Sequence, residues 1–161
     1  MKKSVSRVLF LFLVLVFLLE PLSAQNSDKK GWVQGFFGGG ISHSDYGSDE
    51  FIHPGAGGEV LIAGGLGVEG EIGFMHFPGT TNNGTLFSLG GIYAFNRDRK
   101  TFPFVTGGYV GFVGDSISAG AYFGGGIMHF LGDHLGVRLE GRDQIYSGGW
   151  GGTYHYLEAR G

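Results

Sequence analysis

The stretch Leu135-Gly136-Val137-Arg138-Leu139-Glu140-Gly141-Arg142-Asp143-Gln144-Ile145-Tyr146 decides the fold. Successive residues of a strand point to opposite faces. Here Arg138, Glu140 and Arg142 share one face, and Leu135, Val137 and Leu139 share the other. The same parity recurs in residues 66–77, where Glu69 and Glu71 lie opposite Val68, Ile72 and Phe74, and Glu158 and Arg160 repeat the spacing near the end. In a soluble barrel the apolar face would be the core and the charged face would be wet. In lipid the arrangement inverts, because an arginine at the bilayer midplane costs about 2–4 kcal/mol. Lysine is sparse beyond residue 24, with only Lys29, Lys30 and Lys100, which is unlike a wet charged surface. The charged faces are therefore expected to line a lumen in which Glu69, Glu71 and Glu140 neutralise Arg138 and Arg142.

Segments of similar period flank this one. Residues 32–42, 54–63, 66–77, 84–95, 102–112, 117–130, 135–146 and 153–161 each alternate and are bounded by polar or glycine-rich clusters. There are eight, an even number, and each is near the 9–11 residues that a tilted strand needs to cross a bilayer. The connections predict short turns at one end, such as Gly64-Gly65, and longer loops at the other, above all residues 43–53. The fold class that follows is all-β: an eight-stranded antiparallel up-and-down transmembrane β-barrel, whose interior is just wide enough to be filled by side chains.

The N-terminus fixes the compartment. Met1-Lys2-Lys3 precedes twelve apolar residues from Val8 to Leu19, then Glu20, and Pro21-Leu22-Ser23-Ala24 before Gln25. This is the layout of a secretory signal peptide, and the apolar run is too short for a spanning helix of roughly 20 residues. Two segments are expected: a signal peptide, 1–24, and a barrel domain, 25–161. Removing the first 24 of 161 residues leaves 137 and, with the loss of Lys2, Lys3, Arg7 and Glu20, moves the net charge from −3 to −5. No basic field invites nucleic acid. Cysteine is absent, which excludes disulfides, thiolate chemistry and lipoprotein processing. All 34 glycines fall in the mature part, about a quarter of it, against a usual level of roughly 7%. With only four prolines and no three-residue period, collagen is excluded. Aromatic residues alternating with the glycines exclude a disordered linker. Bent strands with bare backbone beside aromatic rings remain.

The run from Phe123-Gly124-Gly125-Gly126 through Phe130-Leu131-Gly132-Asp133-His134 to Arg138-Leu139-Glu140-Gly141-Arg142-Asp143 resembles the small outer-membrane β-barrel family, the OmpA/OmpX-like barrel domains. Phe104-Val105-Thr106-Gly107-Gly108-Tyr109-Val110-Gly111 looks like the aromatic–glycine strand of that family. The resemblance implies a bacterial outer-membrane location. It also implies outer-membrane lipid, lipopolysaccharide and the barrel-assembly machinery as partners. One departure is the ending Glu158-Ala159-Arg160-Gly161, which lacks the family's terminal aromatic residue. The last strand is therefore expected to be truncated, which puts barrel closure in question.

Candidate sites are few. Residues 43–53 hold His43, Asp45, Asp49, Glu50 and His53, read as a polar surface loop and the candidate binding surface. His43-Ser44-Asp45 contains the residue types of a nucleophilic triad, but neighbours on a strand end diverge whereas a triad must converge. Oxygen ligands for a divalent cation are present in this loop without a metal-binding spacing, so no metal and no cofactor is expected. Gly38-Gly39-Gly40, Gly64-Gly65 and Gly124-Gly125-Gly126 do not open helices, as phosphate-binding loops do. Aromatic residues near segment ends, namely Trp32, Phe36, Phe37, Phe74, Phe77, Phe95, Tyr109, Phe112, Tyr122, Phe130, Tyr146, Trp150, Tyr154 and Tyr156, suit interfacial girdles, and ordinary core packing accounts for some of them. The expected role is structural or surface-binding and not enzymatic, with a plugged, charge-paired lumen. The alternatives are a lipid-modifying outer-membrane enzyme and a soluble periplasmic barrel holding an apolar ligand.

Overall fold

The computed structural model describes residues 31–44, 47–80, 83–114, 116–132, 135–147 and 153–161. The expected signal peptide, Asp45, His134 and Trp150 lie outside the described residues. Eight antiparallel strands follow in chain order: β1 (Gly31–Ser44), β2 (Gly47–Ala63), β3 (Leu66–His76), β4 (Asn83–Ala94), β5 (Thr101–Val113), β6 (Ile117–Phe130), β7 (Gly136–Ser147) and β8 (Thr153–Arg160). Each pairs with its neighbour in sequence, and β8 returns to β1, so the sheet is a closed up-and-down barrel.

Closure is carried by six residue pairs, from Gly38 opposite Arg160 to His43 opposite His155. Phe37 and Gly161 add two reciprocal main-chain bonds, with N···O distances of 2.9 and 3.2 Å. The closure left in question by the chain's last residues is therefore present: β8 is bonded on both sides, to β7 and to β1.

The largest correction concerns residues 43–53. They form no long loop. β1 runs on to Ser44 and β2 begins at Gly47, so the hairpin extends past the last β2–β3 pair, Ile52 with His76, while β8 follows β1 up to His43. His43 pairs with Ser48, Ser42 with Asp49 and Ile41 with Glu50. The Ser42 hydroxyl donates to the Asp49 carbonyl at 3.1 Å and accepts from the Asp49 amide at 3.2 Å. Polar residues that read as a loop are held in strands by their partners across the ladder, since β preference follows context more than intrinsic backbone tendency. The expected contrast between short turns at one end and long loops at the other is lost with this loop. At the opposite end, Gly64 and Gly65 adopt φ of +57° and +88°, the left-handed pair that a two-residue hairpin turn requires.

Alternation sets what faces where. Outward side chains are apolar and exposed, among them Val68, Ile72, Val137 and Leu139 at 46–63%. Inward side chains form three layers. At the end bearing the chain termini, Leu61, Ile92, Phe102, Phe104 and Met128 pack with Trp32 and Phe130. At the other end Phe51, Met75, Phe77, Leu86, Val110 and Tyr146 pack with Phe112, Tyr154 and Tyr156. Charged and polar side chains occupy the middle. Of the aromatic residues expected in outer girdles, Phe37, Phe74, Phe95 and Tyr109 are exposed on the outside, whereas Trp32, Phe77, Phe112, Phe130, Tyr146 and Tyr156 turn inward and pack in the two end layers. Glycines in the middle layer make room for long side chains. A Cβ on Gly90 would collide with the Tyr122 hydroxyl, and one on Gly57 with the Glu71 side chain.

Candidate functional site

The middle layer is built from five strands. β7 contributes Arg138, Glu140, Arg142 and Gln144; β3 contributes Glu69 and Glu71; β8 contributes Glu158 and Arg160; β2 contributes His53 and Glu59; and Tyr122 reaches in from β6. All are buried, with Glu69 only 1% exposed. Residues two apart on a strand face the same way, so Arg138, Glu140 and Arg142 form a column. Barrel closure then brings the β3 column opposite.

Each guanidinium is held edge-on by carboxylates. Arg138 donates to Glu59 at 2.6 Å, to Glu140 through Nε at 2.9 Å and to Glu69 at 3.1 Å. Arg142 donates to Glu71 at 2.7 Å, to Glu140 at 2.8 Å and to Glu69 at 3.1 Å. Arg160 donates through Nη1 and Nη2 to the two oxygens of Glu71, at 2.9 and 2.6 Å, and through Nη2 to Glu140 at 2.9 Å. The flat faces are covered by rings: Arg138 stacks over Phe104 and Arg142 over Tyr122, both at 4.1 Å, and Arg160 over Phe36 at 4.6 Å. A planar fork with a weakly hydrated face suits this double use better than an ammonium would.

Neutral groups satisfy the remaining carboxylate oxygens. Thr106 and Tyr122 donate to Glu69 Oε1, the tyrosine at 2.8 Å. Ser88 donates to Glu71 at 3.1 Å. A second branch joins His53 Nδ1 to Glu158 at 3.0 Å, Gln144 to the other Glu158 oxygen at 2.8 Å, and Tyr146 to Gln144 at 3.1 Å. Burying charge is costly unless it is paired and hydrogen-bonded; this lattice meets both conditions for most of its atoms. The exceptions are His53 Nε2, Glu59 Oε1, Gln34 Oε1 and Trp32 Nε1, which are buried without a partner.

The structure thus brings together Glu69, Glu71, Arg138, Glu140 and Arg142. Sequence reasoning left Glu59, His53 and Tyr122 out of the lumen, and read Glu158 and Arg160 as inward-facing without placing them among the charges that neutralise one another. Glu59 carried a usable signal, as a carboxylate sharing its face with Leu61 while Val60 and Ile62 face the other way. His53 needs correction: it was read as part of a surface loop, but it points into the lumen and is 0% exposed. The register of β2 decides this, placing it on the same face as Phe51 and Glu59.

The other candidate surface residues remain at the rim. His43, Asp49 and Glu50 are exposed on the extended hairpin. His43 Nδ1 meets Ser48 Oγ at 3.0 Å. On the neighbouring strands His155 Nδ1 lies 3.0 Å from Asp143 Oδ2. No group of three or more His, Cys, Asp or Glu residues able to hold a metal ion occurs among the described residues.

No protein-family model matches this sequence, and no curated protein matches it at a significant level. Solved structures do match. Neisserial surface protein A is 14% identical, with a TM-score of 0.64, over 81% of this chain and 94% of its own. The N-terminal β-barrel domain of Pseudomonas aeruginosa OprF is 17% identical, with a TM-score of 0.52, over 79% and 98%. Ail, the attachment invasion locus protein of Yersinia pestis, is 9% identical, with a TM-score of 0.54, over 82% and 96%. At such low identity the likeness is one of architecture, and the architecture that this chain shares with them is that of the small eight-stranded outer-membrane β-barrels.

Proposed function

We propose that this chain is an integral outer-membrane protein with a structural or surface-binding role, and that its lumen is plugged and does not conduct. The inverted side-chain distribution carries this reading: carboxylates and guanidiniums lie inside, while Val68, Ile72, Leu89, Val137, Leu139 and many other large apolar residues are exposed outside. Exposed apolar patches on soluble monomers rarely exceed a few hundred Å², and an unbroken apolar outer wall belongs against hydrocarbon. The closed sheet suits that solvent, because lipid cannot hydrogen-bond an open backbone edge. A surface role is supported by the hairpin that exposes His43, Ser48, Asp49 and Glu50 at the rim, and by the names of two structural neighbours, a surface protein and an attachment protein.

Heat-modifiable gel migration tests the membrane reading. Refolded in detergent micelles, the unboiled protein should run as a compact band that shifts on boiling. A single unshifted band from protein that is soluble without detergent would overturn it. For the surface role, intact cells should expose an epitope tag placed between Ser44 and Gly47 to antibody.

A further inference from the structure

Four neighbouring strands line up polar side chains on the outer face near one rim. Their order around the barrel is β7, β8, β1, β2. Register sets His43 of β1 directly opposite His155 of β8, with Ser48 of β2 opposite His43 on its other side. Alternation turns both imidazoles outward, His43 with Phe37 and Ile41, and His155 with Leu157. Directly opposed residues hold their Cβ atoms about 4.5–5.5 Å apart. The two rings are therefore neighbours on the wall, although they lie far apart in the chain.

Each ring is oriented by a group on its far side. His43 Nδ1 meets Ser48 Oγ at 3.0 Å, and His155 Nδ1 meets Asp143 Oδ2 on β7 at 3.0 Å. Both Nδ1 edges thus turn away from the β1–β8 seam, and the opposite edges, which carry Nε2, face it. A carboxylate only accepts, so His155 donates from Nδ1 and keeps its lone pair on Nε2. A serine hydroxyl accepts as readily as it donates, which gives His43 the same tautomer. An imidazole whose other nitrogen donates to a carboxylate is the usual form of a metal-ligating histidine. Charge points the same way. Residues 31–96 contain no lysine or arginine, and Arg138, Arg142 and Arg160 of β7 and β8 are buried in the lumen. The outer face of these four strands carries the carboxylates of Glu50 and Asp143 and no fixed cation.

We infer that His43 and His155 form a two-imidazole site for a divalent transition metal of the zinc class, on the outer face at the rim. The two Nε2 atoms bind the ion, Ser48 and Asp143 hold the rings, and water fills the remaining positions of a tetrahedral sphere. Nitrogen ligands select zinc, copper or nickel over calcium and magnesium, which take oxygen. With two protein ligands the site is open, unlike the closed four-ligand sphere of a structural zinc, and it falls below the three-residue groups that are absent among the described residues. The inference goes beyond the proposed structural or surface-binding role and rests on strand register and ring orientation, not on the membrane reading.

The test uses the untagged chain refolded in detergent micelles, with Zn²⁺ alone as the probe in equilibrium dialysis. The tightest class of binding should be one Zn²⁺ per barrel, undisturbed by excess Ca²⁺. His43→Asn and His155→Asn should each weaken it at least tenfold, and His129→Asn, on the outer face at the opposite rim, should leave it unchanged. With Cu²⁺ in place of Zn²⁺, electron paramagnetic resonance should show hyperfine coupling to two imidazole nitrogens in the wild type and to one in either single variant. Wild-type affinity no greater than that of either single variant, an equal loss in His129→Asn, or a wild-type copper spectrum with fewer than two imidazole nitrogens would overturn the inference. Heat-modifiable migration of each sample reports separately on the barrel, so failure of the membrane reading, or of a variant to fold, is distinguishable from failure of the metal site.

Discussion

Removing the guanidinium of Arg138 would leave Glu59, Glu69 and Glu140 without the cation that separates them, in a buried layer between two apolar ones. Breaking one partner out of a buried charge network costs about 3–5 kcal/mol. Arg138→Ala should therefore lower stability by about that much in urea unfolding from micelles. Arg138→Ala combined with Glu59→Gln should recover part of the loss, because it removes one of the stranded charges. Arg138→Lys should fall between the wild type and the alanine variant. An ammonium keeps the charge but cannot offer in-plane bonds to three carboxylates while its face rests on Phe104. If Arg138→Ala unfolds at the wild-type urea concentration, the network contributes nothing net and the lumen is better described by its apolar layers.

Among the strands, the β4–β5 pair shows how glycine and aromatic residues cooperate. Gly111 lies directly opposite Phe87, and the three atoms nearest to a Cβ on Gly111 would all belong to the Phe87 ring. Gly111→Ala should then cost about 1–3 kcal/mol by overpacking. In a Phe87→Ala background the same change should instead stabilise, by about 0.5–1 kcal/mol, as the backbone entropy cost of glycine is relieved. The sign reversal between the two backgrounds, read from urea midpoints, is the diagnostic. β7 offers a second test. Leu139 is 63% exposed on the outer wall, so Leu139→Arg should destabilise by about 2–4 kcal/mol in bilayers, while arginine at Glu50 on the extended hairpin should cost about 0–1. Equal costs at both positions would mean that the outer wall is not in lipid.

As a whole molecule, the barrel holds three stacked layers of inward side chains: an aromatic-rich layer, a charge lattice and a second apolar layer. Eight strands leave an interior that side chains can fill, and porins need about 16–18 to hold a water channel. Planar-bilayer recordings should show no steady large conductance. Arg138→Ala should not open one, because both apolar layers stay in place. A stable open state from the monomer would contradict the lumen packing described above.

What the sequence determined by itself was everything that depends on alternation. The eight strands, the inward charge of Glu69, Glu71, Arg138, Glu140 and Arg142, and the outward apolar faces all follow from a period of two read within single segments. That periodicity is local, and the choice of solvent for each face needs no knowledge of partners. The tertiary structure alone decided which carboxylate meets which guanidinium, since those groups lie far apart in the chain: Arg142 and Glu69 are separated by 73 residues, and His53 and Glu158 by 105. Only inter-strand register could move His53 from an apparent loop into the lumen. It is fixed by hydrogen bonds between neighbouring strands and by closure of the ring, and neither is written in the spacing of residues along any one strand.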